Sequence, residues 1–71
     1  MSFEAYINNI RAMTGKSPED FHRLANEKGL VGGHIKATQI TDWLKAEFGL
    51  GHGHAMAIWA VFKRNGWAGT A

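Results

Sequence analysis

The stretch Phe48-Gly49-Leu50-Gly51-His52-Gly53-His54 holds the residues of this 71-residue chain best suited to chemistry. Glycines let a backbone approach a ligand closely. A helix that starts just after them offers unpaired N–H groups and the positive end of its dipole, which suits a phosphate. His52 and His54 would stand beside the anion, and Lys45, Lys63 and Arg64 would reach toward flanking charge. The candidate phosphate-binding set is therefore Gly49, Gly51, His52, Gly53, His54, Lys45, Lys63 and Arg64.

Other chemistry is poorly supplied. His52-x-His54, even with His34, lacks the carboxylate or thiolate that would complete a metal set, and no metal or cofactor is expected. Thr14-Gly15-Lys16-Ser17 looks like the end of a phosphate loop, but the upstream glycine and preceding strand are missing. No nucleophile is paired with an oriented base, so the expectation is a binding domain and not an enzyme. With no Cys, thiol chemistry is excluded and a cytoplasmic location is expected.

The formal charge of +2 does not by itself imply nucleic acid. Its distribution says more. Residues 1–27 carry Arg11, Lys16 and Arg23 against Glu4, Glu19, Asp20 and Glu27, a balance of −1. Residues 28–71 carry Lys28, Lys36, Lys45, Lys63 and Arg64 against Asp42 and Glu47, a balance of +3. A mildly basic second half can face an anion. The longest apolar run, residues 55–62, is far short of the ~20 residues of a membrane span, and no membrane partner is expected.

These residues need elements to position them, and the pattern is helical throughout. Phe3, Tyr6, Ile7, Ile10 and Met13 form one apolar stripe, with Ser2 as its cap and Gly15 as its stop. Ser17-Pro18-Glu19-Asp20 opens a second helix with a capping Ser, a Pro in the first turn and two acids at the positive dipole end. Its buried face is Phe21, Leu24 and Ala25, and Gly29 stops it. After a loop, a third helix is expected from a Thr38 cap, with Ile40, Trp43, Leu44 and Phe48 inward and Gly49 as the stop. The fourth begins near residues 51–53 and ends at Asn65-Gly66. Residues 55–62 are apolar nearly all round, which suits either the central helix or an oligomer interface. Trp43, Trp59 and Met56 fit core stripes, whereas Trp67 folds back as a cap contact or sits in an interface. The expectation is an all-α, compact four-helix domain over residues 1–66, with a frayed tail at residues 67–71.

A 20-residue shift aligns Leu24-x-x-Glu27-x-Gly29-Leu30-x-x-Gly33-His34-x-x-Ala37 with Leu44-x-x-Glu47-x-Gly49-Leu50-x-x-Gly53-His54-x-x-Ala57. Two helix–loop–helix units sharing the middle helix would produce this echo. So would the ordinary recurrence of Gly-Leu helix stops.

The string Gly49-x-Gly51-x-x-x-Ala55-x-x-Ile58, following an amphipathic helix, resembles the helix–hairpin–helix motif of non-sequence-specific DNA-binding proteins. That resemblance implies backbone N–H contacts to a nucleic-acid phosphate. The chain departs from the motif in having His52-Gly53-His54 where a Lys or Arg is often found. Over a longer span, the strings Phe3-x-x-Tyr6, Thr14-Gly15-Lys16-Ser17-Pro18-Glu19-Asp20-Phe21, Trp43-Leu44-Lys45 and residues 48–58 resemble a bacterial family of short helical proteins labelled a domain of unknown function. That resemblance implies a helical, intracellular, bacterial-type domain and assigns no activity. The leading expectation is weak, sequence-independent nucleic-acid contact. The alternative is a protein partner or a homodimer built on the apolar fourth helix and Trp67.

Overall fold

A computed structural model describes residues 3–69. It contains α1 (Phe3–Thr14), α2 (Pro18–Glu27), α3 (Ala37–Phe48) and α4 (His52–Arg64), and among the described residues there is no strand. The all-α four-helix domain expected from the periodicity is what forms. Its Cα radius of gyration, 10.9 Å, matches the roughly 11 Å of a close-packed chain of this length. The expected cap at Ser2 lies outside the described residues.

Each helix boundary has a local cause. At α1, the Gly15 N–H donates to Arg11 O, and Gly15 takes a φ of 71°, a left-handed conformation that lets the chain leave the helix. The start of α2 is a full capping box. The Asp20 N–H donates to Ser17 Oγ at 3.4 Å, and the Ser17 N–H donates back to Asp20 Oδ2 at 2.9 Å. The Ser17 N–H and the Ser17 hydroxyl, which donates to Asp20 Oδ2 at 3.0 Å, hold the Asp20 carboxyl below its ordinary pKa of 3.8, aided by Arg23 and Lys16. The start of α3 corrects the expected cap. Thr38 lies inside the helix, and Lys36 is the N-cap, its N–H donating to Gln39 Oε1 at 2.8 Å.

The core forms where the stripes meet. Ile10, Phe21, Ile40, Leu44, Ile58 and Phe62 are the largest fully buried side chains. Phe21 meets Trp43 and Phe48 edge to face, tying α2 to α3. α4 contacts the other three helices and buries Ala55, Ala57, Ile58 and Phe62, while Met56 and Ala60 remain exposed. It is the central helix. Three stripe expectations fail, because Phe3 is 36%, Met13 57% and Met56 38% exposed.

The internal echo holds only at its helix stops. Gly29 and Gly49 both take left-handed conformations, and Leu30 and Leu50 both fold back toward the core. Beyond them the connections differ: nine residues join α2 to α3, but only three join α3 to α4.

Past α4 the chain meets one expectation, because Trp67 folds back onto the helices, and departs from another. Residues 67–69 are not frayed. Trp67 stacks flat on His22 at 4.1 Å, and Ala68 is completely buried. The Gly32 N–H donates to Trp67 O, and the Gly69 N–H donates to Gly32 O, forming a single parallel bridge between Gly32 and Ala68. Thr70 and Ala71 lie outside the described residues.

Candidate functional site

The α3–α4 turn is built by three successive backbone choices. Gly49 closes α3 in the left-handed region, φ 65°, its N–H donating to Lys45 O. Leu50 then turns inward and is buried. Gly51 is extended and serves as the N-cap of α4, accepting from the Ala55 N–H at 2.9 Å. Gly51, His52 and Gly53 are exposed, as is Lys45 on the last turn of α3.

No side chain caps α4. At α2 the Ser17 hydroxyl fills that role, and at α3 the Gln39 side chain folds back across the start of the helix. The first backbone donors of an α-helix have no partner within the helix. At α4 they belong to an exposed segment bearing two glycines. The nearest acid in the sequence, Glu47, is paired with Lys28 at 2.9 Å. That hydrogen bond lowers the Glu47 pKa; the Trp43 indole N–H, which makes no hydrogen bond of good geometry, adds a smaller pull.

Not all of the candidate set assembles here. Gly49, Gly51, His52, Gly53 and Lys45 share the turn. His54 is half-buried and meets Tyr6 of α1 edge to face at 5.0 Å; its Nε2 is buried without a hydrogen-bond partner. Its ring therefore packs on α1 through one face, while its Nδ1 stays at the turn, 3.9 Å from where a Cβ on Gly51 would stand. Gly53 has a packing role as well: a Cβ there would stand 3.1 Å from Tyr6 Oη. Lys63 and Arg64 lie in the last turn of α4, ~16–18 Å from His52 at 1.5 Å per residue. Arg64 sits over the Phe3 ring instead, 5.3 Å from its centroid.

Both departures had a signal. Residues 54, 55, 58 and 62 share one helical face, so His54 continues the buried stripe of α4. The helical rise alone separates Lys63 and Arg64 from the turn. Sequence reasoning missed His22, whose stack on Trp67 joins α2 to the segment past α4. Among the described residues no group of His, Asp and Glu is arranged to hold a metal ion, and no helix is long and apolar enough to cross a membrane.

No curated protein and no solved structure matches the chain. Residues 2–64 match the model of a family described as a domain of unknown function (DUF4287), and this chain belongs to that family.

Proposed function

We propose that the domain binds nucleic-acid phosphate weakly and without regard to sequence, through the α3–α4 turn. The observation that carries this reading is the start of α4, where exposed glycine backbone coincides with a helix end that no side chain caps. Lys45 supplies the adjacent charge and His52 an adjacent donor. The contact set is narrower than the composition suggests: Gly49, Gly51, His52, Gly53 and Lys45, with the Nδ1 edge of His54, and without Lys63 or Arg64.

Fluorescence anisotropy of labelled single- and double-stranded DNA, at low and physiological salt, tests this. Affinity is expected to fall modestly as salt rises, because one cationic side chain displaces about one counterion from the nucleic acid. Lys45→Gln should reduce the log–log salt slope by about one phosphate contact, ~0.7–0.9. Gly51→Val should weaken binding by shielding the backbone. It is a fair probe, because Gly51 has an ordinary φ of −69° and its Cβ would find the nearest atom 3.9 Å away. Lys16→Gln should leave affinity unchanged. No binding at low salt, or equal losses in Gly51→Val and Lys16→Gln, sinks the proposal.

A further inference from the structure

The segment past α4 occupies a defined seat. One wall is His22 on α2, on which the Trp67 indole lies at 4.1 Å with an interplanar angle of 2°. The floor is Phe62, edge-on to Trp67 at 5.5 Å. The other wall is the α2–α3 loop, where Gly32 gives its N–H to Trp67 O at 2.8 Å and takes the Gly69 N–H at 3.2 Å. Ala68 between them is fully buried. Gly69 lies against Trp59, where a Cβ would be 2.5 Å from Cη2.

Everything that forms this seat lies within residues 2–64, the span of the family domain, whereas the segment in it lies beyond that span. The domain thus brings a cleft, and residues 67–69 show what chemistry fits it. An aromatic ring stacks on His22, a small side chain is enclosed, a glycine passes Trp59, and backbone bonds are shared with Gly32. Main-chain bonds to Gly32 hold the segment, and the enclosed Ala68 and the ring stacked on His22 set which side chains fit.

We propose that this cleft is a peptide-docking site for a bent aromatic–small–glycine segment of a partner protein, and that residues 67–69 are its built-in competitor. Gly66, with φ 71°, is the hinge that turns the segment back onto α4. Tethering gives the chain's own segment a large effective concentration, so a partner succeeds only where that segment is weakened or released. The site is separate from the α3–α4 turn and does not depend on the phosphate reading.

The test uses the full chain carrying Trp67→Ala, which removes the anchoring ring, and as probe the labelled peptide acetyl-Gly-Trp-Ala-Gly-amide. Trp67→Ala is expected to bind the peptide at least ~10-fold more tightly than wild type, whose tethered segment competes. Amide shifts should move at His22 and Gly32. A peptide with Ala in place of Trp should not bind. Gly69→Val attacks the other end of the segment, by steric conflict with Trp59 and a φ of 65°, and should also open the cleft. A folded Trp67→Ala or Gly69→Val chain that ignores the peptide overturns the proposal. So does loss of helical structure in both variants, which would make the segment an inseparable part of the core. A wild-type dimer that becomes monomeric in Trp67→Ala would place a second copy's segment in the cleft and overturn the choice of a different protein.

Discussion

At the residue scale, glycine does two different jobs in this fold. Gly49 is needed for its φ of 65°. Gly53 sits in a helix, where glycine costs about 1 kcal/mol relative to alanine. Its missing Cβ lets Tyr6 approach, since that atom would stand 3.1 Å from Tyr6 Oη. Gly53→Val is therefore expected to displace Tyr6 and lower the melting temperature, although a residue with better helix propensity than glycine is introduced. Circular dichroism melts check this, and a rise in stability would show that Tyr6 yields freely. Asp20 gives a pH prediction. Folding lowers its pKa, so its contribution is present above the ordinary value of 3.8 and is lost as pH falls through the lowered folded value. Wild type should lose more stability across that acidic window than Asp20→Asn, and equal losses would remove the capping carboxylate as the cause.

At the element scale, helix starts and stops were legible where the signal is local. Ser17-Pro18 opens α2 and Gly49 closes α3 as read from the sequence. Ser17→Ala should cost about 1 kcal/mol, which lowers the melting temperature of a domain this size by roughly 4–8 °C. A thermal melt measures this directly. The α3 cap was misread because Thr38 carries a capping oxygen and Lys36 does not. The fold places Lys36 at the boundary anyway, with Ile35 just before it buried in the core. Burial of the neighbouring side chain outweighs a capping preference of this size. The turn of the candidate site was legible for the same local reason as Gly49. Lys63 and Arg64 stand far from the turn because the helix rises along its axis, whereas His54 packs on Tyr6 because it continues the buried stripe of α4.

At the scale of the whole molecule, the docked segment was hidden for a physical reason. Residues 65–71 contain no helical stripe, and the partners of Trp67 and Ala68 are His22 and Gly32, more than thirty positions away. No local pattern encodes such a pairing. It exists because the α2–α3 loop leaves backbone donors and acceptors open beside an aromatic wall. His22→Ala removes that wall and should expose Trp67, so a red shift in tryptophan emission and faster amide exchange at Gly32 are expected. Unchanged exchange at Gly32 would mean that the backbone bonds hold the segment without the stack.

The contact between Arg64 and Phe3 has a separate consequence. It places the first turn of α1 beside the last turn of α4, so the helical body begins and ends at one corner. Each of these end turns has the other for a brace, so unravelling of the first turn of α1 also loosens the last turn of α4.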